Sequence, residues 1–299
     1  MMRTLVLRRW RPLVGMITLV ILQSACGLTT AQKDAVSQFG RASKGFGAAV
    51  STELVDMRNI VIDLNSNVLI LEPKKLPNRD ALDGEFSLSN VNGRVRAANV
   101  LQTYGELLVA LVEDTQAKEL QTAAGSFTGS VRGLDPDKTR LSDADLDEVG
   151  KLVVAVGGLI VEHKKAKALK GIVPRAHKQV EVLGALFAGE FNPNGGLLRE
   201  YFNITAEQLL SATDPILGGQ GSTVTDRAVA AAAHRKGIEA RAKTKAVFPD
   251  LHKGAMAMVA AHAQLVEALA KDRLQIDDIK NFVKTVESVV ASARVLVNR

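Results

Sequence analysis

The sequence predicts an all-α protein, and three observations support this prediction. Apolar residues recur every three or four positions in several long stretches, which is the period of a helix with one buried face. No comparable stretch alternates apolar with polar residues, so strands are not expected. Glycine and proline cluster between the periodic stretches, as they do in connections between helices. We therefore expect an elongated multi-helix bundle of about seven or eight helices with coiled-coil-like seams.

The first helix is predicted from Thr29 to Leu71. Thr29 and Gln32 have the spacing of a capping box, and Pro73 ends the helix. Between them, apolar or small residues alternate at spacings of three and four, which forms a heptad-like seam. An exposed part of this seam would be a docking surface for a partner helix. The candidate docking residues are Leu54, Met57, Val61, Leu64 and Val68.

Further helix starts are predicted at Ser142, at Pro174 as a first-turn proline, and at Thr205. The C-terminal part is predicted as three helices, over about 225–247, 251–271 and 276–297. Glycine-rich residues 218–224 would then divide a long-helix bundle over 26–217 from a C-terminal segment over 225–299. The alternative is a loop inside one continuous domain.

Composition excludes several classes of protein. A hydrophobic content of 46% excludes a wholly disordered chain, and a single cysteine excludes a disulfide framework or a multi-thiolate zinc site. The net charge is +6, but four arginines and no acid precede residue 26, so the rest of the chain carries only +2. The basic balance therefore does not indicate nucleic-acid binding.

Residues 1–25 have the pattern of an export signal. An arginine-rich start is followed by uncharged residues 12–22, a run too short to span a membrane, and then by Gln23-Ser24-Ala25-Cys26. This arrangement resembles the lipobox of bacterial lipoproteins, with Gln23 where that family usually has an aliphatic or small residue. The resemblance implies that Cys26 receives a diacylglyceryl group and an acyl chain such as palmitate. Soluble export and an uncleaved anchor are the alternatives.

Among lipoproteins of Gram-negative bacteria, an Asp after the lipidated cysteine retains the protein at the inner membrane. Gly27 follows Cys26 here. The resemblance therefore implies an outer-membrane lipoprotein that faces the periplasm. The covalent lipid is the only prosthetic group that we expect.

Charged and histidine-containing stretches supply the remaining candidate sites. Lys164, Lys165, Lys167 and Lys170 are expected at the C-terminal end of the Ser142 helix, where cations stabilise the helix dipole, or as a patch for anionic lipid headgroups. The acidic residues of 134–148 do not fit a calcium loop, because Arg140 and Leu146 stand where Gly and Glu are needed. No histidine pair has metal-ligand spacing, and His262 is expected to be a hydrogen-bonded core residue.

No catalytic motif is present in the sequence, so we expect no enzyme activity and no bound metal. Residues 103–111 and 160–170 are similar to stretches of uncharacterised helical lipoproteins from proteobacteria, which implies no activity. The expected function is a scaffold or adaptor role in the cell envelope, through a protein partner or self-association. The alternatives are a binding module for a lipid, peptide or small ligand in an interhelical cleft, or an enzyme without a recognisable motif.

Overall fold

A computed structural model describes residues 27–72, 82–113, 115–157, 162–219, 221–271 and 276–297. Over these residues the protein is all-α, as the sequence predicts, and no strand is present among them. In chain order the helices are α1 (Thr30–Leu71), α2 (Leu88–Val112), α3 (Ala117–Arg132), α4 (Asp143–Gly157), α5 (Glu162–Glu190), α6 (Leu197–Leu217), α7 (Val224–Ala270) and α8 (Asp277–Val297). Short 3-10 turns over Gly84–Phe86 and Pro136–Lys138 precede α2 and α4.

The start and end of α1 confirm the sequence prediction. The Gln32 backbone N–H donates to the Thr29 hydroxyl at 3.1 Å, and the Thr29 N–H donates to the Gln32 side-chain carbonyl at 3.0 Å. This reciprocal pair satisfies two of the amides that a helix start leaves free. The helix ends at Leu71, two residues before Pro73. At 1.5 Å per residue, its 42 residues span about 63 Å.

Helix α1 packs most extensively against α2, and glycines bring the two backbones together. A Cβ atom on Gly40 would lie 2.8 Å from the Gly105 carbonyl oxygen, and one on Gly105 would lie 2.2 Å from the Gly40 carbonyl oxygen. Only residues without a side chain permit this approach. Glycine is less stable than alanine inside a helix, and the close packing of α1 against α2 offsets this loss.

Two predicted helix starts are wrong, because Pro174 lies inside α5 and Thr205 inside α6. The predicted break between 247 and 251 is also wrong, because α7 continues through Pro249. A proline inside a helix removes one hydrogen bond and crowds the preceding turn. Around Pro249 this cost is offset by burial, since Val247, Phe248 and Leu251 are all fully buried.

The hydrophobic core forms one cluster across the described residues. It begins at Leu28, includes residues from all eight helices, and ends at Val289. Helix α7 packs against α1, α5, α6 and α8, which joins the C-terminal helices to the N-terminal ones. In the glycine-rich connection between α6 and α7, Gly219 and Gly221 adopt φ angles of 93° and 89°, which favour glycine. No helix over the described ranges is long and apolar enough to cross a membrane.

Candidate functional site

A line of polar side chains crosses the core between α2, α5 and α7. Tyr104 on α2 places its hydroxyl oxygen 2.8 Å from Nε2 of His262 on α7. The other ring nitrogen of His262, Nδ1, lies 3.0 Å from Nδ1 of His177 on α5. We call Tyr104, His262 and His177 the polar relay. It connects three helices that are far apart in sequence, and its Tyr104 and His262 members are buried, where a polar group needs a protein partner.

Aromatic rings from the remaining central helices enclose the relay. Phe39 of α1 packs edge-on against His262 with ring centroids 5.3 Å apart, and it also contacts Phe282 of α8. Phe127 of α3 packs on Tyr104 at 5.3 Å. Tyr104 and His262 are both almost completely inaccessible to solvent. The inner two members of the relay therefore sit in an apolar environment contributed by three further helices.

The outer end of the relay reaches the surface. The His177 side chain is 31% exposed, and its Nε2 lies 3.6 Å from Glu181 Oε1. The Lys178 amine donates to the Glu181 carboxylate at 2.9 Å, and this hydrogen bond lowers the Glu181 pKa. The carboxylate therefore stays ionised beside His177. A continuous polar path runs from solvent at Glu181 to the core at Tyr104.

Burial fixes the charge of the two inner groups. Burial, followed by the positive charge that His177 can carry, lowers the pKa of His262 to about 3. Burial also raises the pKa of the Tyr104 hydroxyl well above its usual value. Both groups are therefore neutral at physiological pH. A neutral imidazole has one N–H donor and one acceptor nitrogen, so His262 passes a hydrogen bond from one neighbour to the other.

The tautomer of His262 follows from the hydrogen bond that the Tyr104 hydroxyl donates. No described residue other than His262 accepts a hydrogen bond from the Tyr104 hydroxyl. That hydroxyl therefore donates to Nε2, and Nδ1 of His262 carries the proton and donates to His177 Nδ1. An imidazole that accepts at Nδ1 carries its proton on Nε2, and in His177 that nitrogen faces Glu181. Every member of the relay is satisfied in this arrangement.

The prediction for His262 is confirmed as a hydrogen-bonded core residue, whereas sequence reasoning missed Tyr104 and His177 as its partners. The available signal was that Tyr104 and His262 both stand in apolar stripes, where a polar residue needs a partner. His177 gave no such signal. Its role depends on how α5 crosses α7.

The predicted docking seam is core instead of surface. Each of its five members is at most 1% exposed, and all belong to the hydrophobic cluster: Leu54, Met57, Val61, Leu64 and Val68. Neighbouring helices α2, α6, α7 and α8 cover α1. The expectation that part of this seam receives a partner is therefore wrong, because the protein buries it internally.

The structure divides the predicted lysine patch. A new helix, α5, begins at Glu162, so the four lysines lie in its first turns instead of at the end of the Ser142 helix. Lys165 is buried, and its amine donates to the Glu113 carbonyl at the end of α2 at 3.0 Å, so it does not belong to a surface patch. Lys167 and Lys170 are exposed, and Lys164 is partly exposed.

The remaining candidates from the sequence have structural roles or lie outside the described residues. Ser142 caps α4 as predicted: its hydroxyl donates to Asp145 at 2.7 Å and accepts from the Asp145 N–H at 3.2 Å. The bonds from Ser142 lower the Asp145 pKa. No group of side chains suited to a metal ion occurs among the described residues. Cys26 and the predicted signal peptide lie outside them.

An open groove runs along the outer face of α6. Its volume is about 820 Å³, and Asn194 and Gly195 of the loop after α5 contribute to its lining. Most of its lining residues are of polar type, among them Arg199, Asn203, Glu207 and Gln208, but the surface that they and the exposed Ile204 present to the groove is mainly apolar.

Comparisons of the chain with models of protein families, with curated proteins and with solved structures gave no match.

Proposed function

We propose that this chain is a lipid-anchored helical protein of the cell envelope, attached through Cys26 and facing the periplasm, with a scaffold or adaptor role. The observation that carries the proposal is the short connection between the anchor position and the folded body. Only residues 27–29 separate Cys26 from the first residue of α1. Leu28 already belongs to the core, and a Cβ on Gly27 would lie 3.8 Å from the Glu162 side chain.

This connection has a mechanical consequence. A lipid on Cys26 would be attached to a packed helix instead of a flexible tether, so membrane attachment would restrict the orientation of the whole body. Helix α1 then extends about 63 Å from the anchor through the centre of the bundle. A protein of this kind holds its other surfaces at a set distance from the bilayer.

Exposed apolar side chains at the far end of α1 support an interaction role. Helix α7 runs antiparallel to α1, since Gln32 donates to the Ala268 carbonyl near the anchor and Lys236 pairs with Asp63 near the other end. The end remote from the anchor therefore contains the close of α1 and the start of α7. Ile70 and Val224, which lie there, are 69% and 75% exposed. We propose that a partner binds at this end, where these two side chains are the apolar groups that it would cover.

The experiment that tests the anchor is intact-mass measurement and membrane fractionation of wild type and Cys26→Ala. We expect a diacylglyceryl mass on wild-type protein that begins at residue 26 and follows the outer membrane. The variant should lack this mass and leave that fraction. Two soluble, unlipidated proteins would contradict the anchor and remove the main support for a tethered scaffold.

The α6 groove favours a second candidate, a binding module for an extended ligand such as a peptide. The groove is open along its length and offers guanidinium, amide and carboxylate groups beside Ile204. Native mass spectrometry of protein released from cells distinguishes this candidate. A defined added mass that disappears in Ile204→Lys would support it, and unmodified mass alone would contradict it.

A further inference from the structure

The first turns of α5 carry three lysines that the fold does not use. Lys164, Lys167 and Lys170 take part in no ion pair among the described residues. Their neighbour Lys165 differs, since its amine turns inward to the Glu113 carbonyl. Residues one position apart on a helix point about 100° apart. The sequence run therefore contains one structural lysine and three that face outward.

The position of these lysines in the helix gives them no stabilising role. The N-terminal end of a helix carries a partial positive charge, which disfavours nearby cations. Because α5 begins at Glu162, Lys164 and Lys167 lie within its first two turns. At the C-terminal end of a helix, the same lysines would have stabilised the helix dipole. Their positive charge adds to that of the helix end and attracts anions.

The acids around the cluster leave it with net positive charge. Glu162 is engaged by Lys33, at 2.6 Å. Glu148 of α4 lines the same shallow cleft as Lys167 and Lys170, together with His163 and Arg175. Glu148 forms no ion pair among the described residues, and it faces Lys167, Lys170 and Arg175, the last of which also lies 3.9 Å from Asp145.

The path of the chain places the start of α5, which carries this cluster, beside the anchor position. A Cβ atom on Gly27 would lie 3.8 Å from the Glu162 side chain, and Cys26 is the immediate neighbour of Gly27 in sequence. Glu162 lies about 160° around α5 from Lys164, so this contact brings the start of the helix to the anchor position, with the lysines on the other side of it. Any membrane to which Cys26 is attached thus approaches the start of α5. Phosphate groups of lipids would be the nearest available anions.

We propose that Lys164, Lys167 and Lys170 bind the anionic phospholipid headgroups of the leaflet that holds the N-terminal anchor. This inference rests on the proposed membrane attachment and adds an orientation to it, with the start of α5 facing the bilayer. A lysine close to an anionic surface strengthens binding about fivefold. Three of them should strengthen binding on the order of 100-fold at low ionic strength, and salt should weaken it.

The test uses the chain from Gly27 onwards, which retains the whole described core and carries no lipid. Its partition is measured on phosphatidylcholine vesicles and on vesicles with one-third phosphatidylglycerol. The variant replaces the three lysines with glutamine. The matched control replaces Lys245, Lys253 and Lys284, which are exposed and lie outside the first turns of α5, so it loses the same charge.

We expect wild type and control to prefer the phosphatidylglycerol vesicles, and the triple variant to lose on the order of 100-fold in partition. The melting temperature of the triple variant should be unchanged or higher, because its cations lie at an unfavourable helix end. Equal binding by variant and control, or no preference for anionic vesicles, would overturn the proposal and leave an acidic protein as the alternative partner. A lowered melting temperature would assign the lysines to the fold.

The outcome is independent of lipidation, because the tested chain lacks Cys26. Failure of the anchor is detected separately by the intact mass of the full chain. A lipidated wild type with no vesicle preference in the shortened chain would reject this inference alone.

Discussion

Two of the buried polar side chains of helix α7, Lys243 and His262, are accommodated in opposite ways. Lys243 is charged, and its amine lies 3.0 Å from Oε2 of Glu53, a side chain only 2% exposed, and 3.8 Å from Asp56. His262 is neutral and hydrogen-bonded on both ring nitrogens. The Glu53–Lys243 contact lacks the alignment of a hydrogen bond at that oxygen, so its attraction is mainly Coulombic.

The difference shows two ways to place polar atoms between packed helices. The attraction within an ion pair must offset the hydration free energy that two charges lose on burial, and it does so only while both partners are present. A neutral relay avoids that loss but depends on each donor meeting an acceptor. The ion pair should therefore be sensitive to removal of one partner, and the relay should be sensitive to pH.

The largest effect is expected for Lys243→Met, which leaves the Glu53 carboxylate buried without its partner. Breaking a buried pair in this way costs about 3–5 kcal/mol of unfolding free energy. The double variant Glu53→Leu/Lys243→Met removes both charges and should recover most of that loss. Urea denaturation at pH 7 measures all three proteins.

The matched control is Lys236→Met, on the same helix. Lys236 pairs with Asp63 of α1 at 2.9 Å, but both side chains are well exposed, at 40% and 50%. Exposed pairs contribute at most about 1 kcal/mol. Equal losses of unfolding free energy in Lys236→Met and Lys243→Met would contradict the view that burial makes the Glu53–Lys243 pair more sensitive to loss of a partner.

Much of the fold was predictable because local signals agree with the final packing. Helix α1 has a capping box, a continuous apolar period and a terminating proline, and its predicted limits are confirmed. The same reasoning failed at Pro174 and Pro249, because their local preference to end a helix is outweighed by burial of the flanking residues. That burial depends on distant segments, which a local pattern does not contain.

The candidate sites were predictable only to the level of a helix face. Periodicity indicates that Val61 has a buried face, but the same spacing describes both a core and a docking surface. Lys165 was predicted at the C-terminal end of the Ser142 helix, whereas it lies in the first turn of α5. Its role therefore depends on where α5 begins. The contact between His177 and His262 joins positions 85 residues apart, and no sequence spacing encodes it.

The second prediction concerns pH and separates the relay from the ion pair. The folded-state pKa of His262 is about 3, below the unfolded value of 6.5. Below pH 6.5 the unfolded chain therefore binds a proton that the folded protein excludes. Stability from this group is complete above pH 6.5 and is lost as pH falls towards 3, by about 1.4 kcal/mol per pH unit.

Wild type should thus lose about 2–3 kcal/mol of unfolding free energy between pH 6.5 and 4.5 because of His262. His262→Leu should lose less across the same interval, although it is less stable at pH 7. Working above pH 4.5 keeps carboxylates such as Asp145, whose pKa is lowered, ionised in both proteins. Parallel pH profiles for the two proteins would show that His262 can take up a proton in the folded state.

The smallest expected effect is that of Tyr104→Phe, which tests how the relay is wired. The substitution preserves the ring packing with Phe39 and Phe127 but removes the hydroxyl that donates to His262 Nε2. One buried acceptor is left without a donor, at a cost of about 1–2 kcal/mol. A double-mutant cycle with His262→Leu should give a coupling of about 1 kcal/mol, since the two residues share that bond.

Nitrogen NMR shifts of His262 examine the same bond directly. In wild type at pH 7 we expect the proton on Nδ1, because the Tyr104 hydroxyl has no acceptor besides Nε2 among the described residues. A proton on Nε2 would reverse the direction of every hydrogen bond in the relay. His177 would then donate from Nδ1 to His262. A second proton, on His177 Nε2, would make the ring cationic beside Glu181. The measured tautomer therefore decides whether the surface histidine is the acceptor or the donor of the chain that ends at Tyr104.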